Sequence, residues 1–280
     1  MQQISHFSKI CVVESLMPSD RRTGKLLWED IDTVNGFHQR GLETELVHAN
    51  TKAEFLASLE RIQGEASQGE YPILHIECHG SEDKTGLILG DSSFLSWSEL
   101  KPFLTAINVA TKCNLLIVMA SCYGGYLGEI ILPTDRAPCW GFIGPTDTIY
   151  PDELLSTFNA FYGELLASLN GDESLAALSA RKLRFGGYYF TTAVNFFKRA
   201  YKGYLKEYCS ESALEERAKR MSRKLKKMDS QHRPGKGAMK RLLKRTETPS
   251  FEKYHRQFFM IDLFPENASR FELSLQDMKE

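Results

Sequence analysis

Asn114-Leu-Leu-Ile-Val-Met-Ala120, running directly into Ser121-Cys-Tyr-Gly-Gly125, is the most hydrophobic strand-like stretch of the chain. A short, unbroken apolar run closed by turn residues suits a strand covered on both faces, as in the middle of a parallel sheet. A second stretch repeats the pattern, with Tyr71-Pro-Ile-Leu-His-Ile-Glu-Cys78 ending in His79-Gly80. Each run delivers a reactive side chain just past a buried strand. Ligands bind beyond the carboxyl ends of parallel strands, so an imidazole and a thiol placed there can meet. That is the minimum for a cysteine nucleophile with a histidine base.

Outward from these two runs the chain alternates. Lys9-Ile-Cys-Val-Val-Glu14 is a short apolar strand, and 20–37 is polar enough for a helix or partly loop. Residues 42–47 set Leu42, Thr44 and Leu46 against Glu43 and Glu45 and form a second strand. Thr51-Lys-Ala-Glu54 is a capping box that opens a helix to about Glu65. Beyond His79, Leu87-Ile-Leu89 and Ser93-Phe-Leu95 form a hairpin around Gly90-Asp91, and Ser96-Trp-Ser-Glu99 caps another short helix. Cys139-Trp-Gly-Phe-Ile-Gly144 is a fifth strand. Pro151-Asp-Glu153 then starts a long helix with Leu154, Leu155, Phe158, Phe161, Leu165 and Leu166 at helical spacing. Strands alternating with helices across short links predict an α/β fold, a doubly wound, mostly parallel sheet with helices on both faces.

From about Thr191 the pattern changes to helices rich in Lys, Arg, Phe and Tyr, through Pro234-Gly-Lys-Gly237 to Thr248-Pro249. Gln257-Phe-Phe-Met-Ile-Asp-Leu-Phe264, closed by Pro265, then has the composition of one more strand. The expected organisation is a core over 1–190, a basic helical insertion over 191–252, and 253–280 returning a strand to the sheet with a C-terminal tail. A separate C-terminal helical domain is the alternative.

With 280 residues, 42% of them hydrophobic, the chain is long enough for one large domain or two modest ones without staples. Its six cysteines (Cys11, Cys78, Cys113, Cys122, Cys139, Cys209) show no C-x-x-C spacing, which argues against a metal and against a disulfide framework. The amino-terminal stretch has no signal-like apolar core and no apolar run approaches about 20 residues. The expectation is a reducing, cytoplasmic setting in which a free thiol persists, with no membrane, metal or cofactor. The net charge of −1 hides an asymmetry. Residues 217–245 carry thirteen Lys or Arg against one acid, Asp229, which makes the segment +12 and leaves −13 for the remainder. Such a segment suits an acidic protein, nucleic acid or the molecule's own acidic body, or is simply a solvated helical face. Without a readout motif, charge licenses only salt-sensitive, sequence-independent nucleic-acid binding through 217–245.

The order of the two reactive residues carries information, because His79 precedes Cys122 by 43 residues. Caspases place their histidine about 50 residues before the nucleophile. With the glycine after His79, the small residues around Cys122, and Gly86-Leu-Ile-Leu-Gly-Asp91 leading to Leu95-Ser-Trp-Ser-Glu-Leu100, residues 9–180 resemble the caspase-like cysteine peptidases, and most nearly the bacterial CHAT-type proteases. The resemblance implies Cys122 as nucleophile, His79 as general base and acid, and the backbone N–H groups of Gly80 and Cys122 as the oxyanion hole. It also implies a protein substrate, a regulatory protein partner and a role in bacterial defence or cell death.

The chain departs from the family at Ala120-Ser-Cys-Tyr-Gly124, where caspases carry Gln-Ala-Cys-x-Gly and metacaspases an acidic residue at the position of Ala120. Substrate preference through Ala120 therefore stays open. Asp147, in Gly144-Pro-Thr-Asp-Thr148, can line a pocket for a basic side chain or serve the turn alone. Glu77 shares a strand face with His79 and can orient it, or pair with a helix instead. The plain reading of the pair is a loop histidine and a small buried thiol; the strand-end placement and the glycines stand against it. His75 lies inside its strand and reads as a core or interface residue, whereas His6, His38, His48, His232 and His255 have no partner motif. A glutamine-amidotransferase arrangement needs the cysteine first and a later His-x-Glu, and only His232-Arg-Pro and His255-Arg-Gln follow. Phe196, Phe197, Tyr201, Tyr204 and Tyr208 recur at helical spacing and are expected to pack onto the sheet domain rather than stack on bases. A non-catalytic binding module that uses the basic helices is the second functional expectation.

Overall fold

The computed structural model describes residues 6–227 and 235–278. The amino-terminal pentapeptide and residues 228–234, with Asp229 and His232, lie outside the described residues. Two compact units emerge, one of residues 1–130 and 137–193, the other of 131–136 and 194–280.

The first unit is built on β1 Lys9–Ser15, β2 Glu43–His48, β3 Pro72–Gly80, β4 Gly86–Ile88, β5 Phe94–Ser96, β6 Leu116–Ala120, β7 Gly141–Pro145 and β8 Tyr188–Thr192. Its helices are α1 Thr23–Phe37, α2 Lys52–Ser67, α3 Trp97–Ala110, α4 Pro151–Ser168 and α5 Gly171–Ser179. The main sheet runs β2-β1-β3-β6-β7-β8. The first five of these strands are parallel to one another and β8 is antiparallel to β7. The β4–β5 hairpin attaches to the end of β3. This is the mostly parallel α/β sheet that the alternation of elements predicts.

Both faces are buried, for the reason the sequence suggests. Ile10, Val12, Ile73, Val118 and Ile143 share one cluster with Leu27 and Ile31 of α1 and with Phe158, Phe161 and Leu165 of α4. The alternate residues Cys11, Val13, Leu74, Ile76, Ile117 and Met119 are equally buried, which requires cover on the second face, where α2 and α3 pack on one another. Thr51 and Ser96 form the capping boxes of α2 and α3 with Glu54 and Glu99. At the amino end of the strands Lys9 reaches Glu43, Glu45 and Glu65 at 2.9–3.0 Å and Glu70 at 3.4 Å, tying β1 to β2 and α2.

The second unit contains α6 Ala193–Tyr204 after its first residue, a π-helical turn Leu205–Cys209, α7 Glu211–Lys227, α8 Lys236–Arg245, α9 Glu247–Phe258 and α10 Asn267–Arg270. Phe197 and Tyr201 of α6 pack against Phe251 of α9, and Phe197 also against Phe258 and Phe259. These aromatics supply a core of the unit's own.

The structure departs from the sequence expectation at one stretch and adds a strand at another. Residues 257–264, expected as a returning strand, are the end of α9 and a run of turns, with Met260 in the left-handed region at φ 58°. A short apolar run does not separate strand from helix by itself; here Phe251, His255 and Phe258 recur at helical spacing, and His255 and Phe259 cross ring to ring at 5.1 Å. The antiparallel edge strand β8 lies in a stretch with no clear alternation, Tyr188-Tyr-Phe-Thr-Thr192, whose aromatic and β-branched residues are its only strand signal.

Candidate functional site

The last pair in the β3–β6 ladder is Glu77 with Ala120. Two residues further along each strand stand His79 and Cys122. Neighbouring strands lie about 4.8 Å apart, so the two residues leave the sheet side by side at its carboxyl end. Alternation puts both on one face: His75 of β3 packs on Phe158 of α4, and Cys122 packs against the cluster that contains Val118, Ala120 and Leu155.

Gly80 makes the approach possible. A Cβ added there would fall 1.7 Å from the carbonyl oxygen of Cys122 and 2.7 Å from its carbonyl carbon, so the two backbones touch. Ser81 N donates to Gly86 O at 3.0 Å, which makes Gly80–Leu87 the non-hydrogen-bonded pair of that antiparallel step. The Gly80 N–H therefore points away from β4. After Cys122 the chain turns sharply, with Tyr123 at φ 57° and its N–H on Asp147 O at 3.2 Å. A left-handed tyrosine persists only where the surroundings hold it.

His79 Nε2 lies 2.8 Å from Asp20 Oδ2, and that same oxygen accepts the Met17 N–H at 2.8 Å. Asp20 sits between β1 and α1. Pairing with a carboxylate puts the proton on Nε2 and leaves Nδ1 as the basic nitrogen, and Nδ1 has no partner among the described residues. The imidazole is 45% exposed, open to a substrate. Cys122 is half-buried, its sulfur accepting the Ile149 N–H at 3.5 Å and facing Ile149 O at 3.8 Å. The thiol thus rests on the Ile149 peptide groups rather than on the imidazole.

Beneath the pair lies a buried polar chain. Tyr162 OH is 3.1 Å from His75 Nδ1, His75 Nε2 is 3.4 Å from Glu77 Oε2, and the Thr23 hydroxyl of α1 donates to Glu77. Burial lowers the His75 pKa to about 3 and, with the neighbouring Glu14 charge, raises that of Glu77 well above the carboxylate range. His75 is therefore neutral near pH 7, and burial favours the protonated acid at Glu77. Glu77 pairs with a helix residue and with His75, and Asp20 is the carboxylate that meets His79. The alternative role for Glu77, orienting His79, is corrected by this geometry: its carboxylate is spent one turn of the pleat below. Nothing in the sequence marks Asp20, which is 59 residues away in a loop.

Ala120 is 1% exposed and belongs to the core. As the last residue of a strand covered on both faces it offers no surface to a substrate, which corrects its candidacy for substrate binding. Asp147 is half-buried; its Oδ1 accepts the Thr148 N–H at 2.7 Å, the turn chemistry of a short Asx bond. Beside it the structure brings together three residues that sequence reasoning missed. Lys84 Nζ, from the loop after β3, lies 4.9 Å and 4.8 Å from the ring centres of Tyr123 and Tyr126 and 3.2 Å from Tyr126 OH. This cation and its two rings join the histidine loop to the cysteine loop.

Among the described residues no group of three or more His, Cys, Asp or Glu is arranged to hold a metal ion, and no helix is long and apolar enough to cross a membrane. No protein-family model and no curated protein sequence matches the chain. Solved structures with a similar fold include caspase-1 from Spodoptera frugiperda, 12% identical, with a TM-score of 0.46 over 68% of this chain and 88% of that one. A likeness at that level bears on no residue's role.

Proposed function

We propose that this chain is a caspase-like cysteine endopeptidase of the CHAT type that cleaves a protein substrate under the control of a protein partner. Cys122 is the nucleophile, His79 the general base and acid, Asp20 the residue that positions His79, and the N–H groups of Gly80 and Cys122 the oxyanion hole. The observation that carries this reading is the contact of Gly80 with the Cys122 backbone at the carboxyl ends of adjacent strands.

In the proposed reaction Nδ1 of His79 takes the Cys122 proton, the sulfur attacks the scissile carbonyl carbon, and the oxyanion develops towards the two N–H groups. The protonated imidazole then gives its proton to the leaving amine, and water, deprotonated by the same nitrogen, releases the acyl group from sulfur. Removing one oxyanion donor in such a site costs about 3 kcal/mol. The thiol must first turn from Ile149 towards the imidazole, a rotation that substrate or a partner protein can select.

That same thiol placement favours the second reading, a caspase-fold binding module with no turnover. One experiment separates them: labelling by a thiol-directed peptide electrophile, beside a peptide-library cleavage profile, for wild type and Cys122→Ala. Labelling and cleavage lost in the variant support the peptidase. Labelling that persists in Cys122→Ala removes Cys122 as nucleophile.

A further inference from the structure

The basic segment folds into a helical hairpin with an apolar seam of its own. Leu214 and Ala218 of α7 pack with Met239 and Leu243 of α8. Glu211, at the start of α7, is ion-paired with Lys240 and Lys244 of α8, which fixes the two helices against each other. What remains outside is mostly basic, with the exposed acid Glu216 one turn before Lys219 and Arg220. Lys219, Arg220, Arg223 and Lys224 of α7 and Arg241 and Arg245 of α8 are all exposed, and none of the six makes an ion pair among the described residues.

Unneutralised like charges on rigid helices repel each other and destabilise the hairpin that carries them. Three classes of acidic partner can relieve that repulsion, and the surface discriminates between them. A membrane-bound amphipathic helix needs an exposed apolar face, but here the apolar face of both helices is consumed by the hairpin seam. An acidic protein partner needs an apolar interface core, and the large exposed apolar residues on these two helices are the isolated Met221 and Leu242. Single strands need a row of aromatic stacking platforms, whereas Phe197, Tyr201, Phe251, Phe258 and Phe259 are inside the unit and Tyr208, just before α7, is a single exposed ring. Phosphates of a duplex need only an array of cations, and Lys219, Arg220, Arg223 and Lys224 give α7 four of them within about 8 Å of helix.

We infer that the exposed face of the α7–α8 hairpin binds the phosphate backbone of a nucleic-acid duplex without sequence preference. This surface is independent of the peptidase reading, and it holds whether or not Cys122 turns over.

The test uses the full chain and a fluorescein-labelled 24-base-pair DNA duplex, followed by anisotropy between 50 and 200 mM salt. Six phosphate contacts predict a slope of log K against log salt of about −5. The quadruple variant Arg220→Gln, Arg223→Gln, Arg241→Gln, Arg245→Gln is expected to keep or raise its melting temperature and to flatten the slope by about 3 to 4, one contact per cation. The double variants R220Q/R223Q and R241Q/R245Q, each expected to flatten it by about 2, keep the test intact if the quadruple variant fails to fold. DNA binding that is absent in the wild type, or unchanged in the variants, overturns the inference. So does tighter binding to polyglutamate, to anionic phosphatidylserine vesicles, or to the single strand of the same sequence.

Discussion

Gly80→Ala tests the candidate site at its narrowest point. The added Cβ would lie 1.7 Å from the Cys122 carbonyl oxygen and 2.7 Å from the carbonyl carbon, both backbone atoms that cannot swing away as a flexible side chain can. The end of β3 and the Cys122 turn must separate by roughly 1 Å or more, and a misplacement of that size costs about 100-fold in rate at a reacting centre. Overpacking of this kind also costs about 1–3 kcal/mol, a fall in melting temperature of about 2–4 °C for each kcal/mol in a chain of this size. The matched control is Gly64→Ala in α2, where a Cβ meets nothing within 4 Å; it should raise stability by about 0.5–1 kcal/mol through helix propensity and leave reactivity alone. The assays are a thermal melt and the rate of labelling by a thiol-directed peptide electrophile. A Gly80→Ala protein that labels at the wild-type rate would refute the placement of Cys122 against Gly80.

Three more changes test the groups around the pair. Asp20→Asn replaces the carboxylate that holds the proton on Nε2 of His79; turnover should fall by about 10²- to 10⁴-fold with little change in melting temperature, read from kcat and a melt side by side. Glu77→Gln should make stability less dependent on pH. Because the folded pKa of Glu77 is raised, deprotonation of the unfolded chain progressively destabilises the wild type as pH climbs past about 4.3; the variant should gain on it between pH 5 and 8 in urea melts, and a variant that loses ground there contradicts a neutral Glu77. His75 has the opposite sign. Its folded pKa is depressed to about 3, so stability is complete above 6.5 and falls by on the order of 1.4 kcal/mol per pH unit as pH drops towards 3. His75→Gln should remove that slope from the acid-denaturation profile.

The sheet was legible in the sequence because a parallel strand must be covered on both faces, and 115–120 is a continuous apolar run, and 73–78 an apolar run broken only by His75 and Glu77, for that reason. The capping boxes at Thr51 and Ser96 were legible because one short side chain and a glutamate three residues on satisfy the same helix end wherever they occur. His79, Gly80 and Cys122 could be named from strand ends and glycines, since chain order alone places the first two at the end of β3 and the third just past β6. What needed three dimensions was everything that depends on a partner far along the chain. Asp20 meets His79 only because β1 lies beside β3. The assignment of Glu77 to Thr23 and His75 depends on how α1 and α4 cover one face, and the Lys84–Tyr123–Tyr126 cluster on two loops that only the sheet order makes neighbours. That 257–264 close α9 and turn, rather than form a strand, was settled by ring packing around Phe197 and Phe271, because an apolar run of eight residues has no period of its own strong enough to choose between strand and helix. Local sequence thus determined which side chains stand at the carboxyl end of the sheet; only the tertiary structure decided which of them touch, because hydrogen bonds and van der Waals contacts act over a few ångströms of space and take no account of distance along the chain.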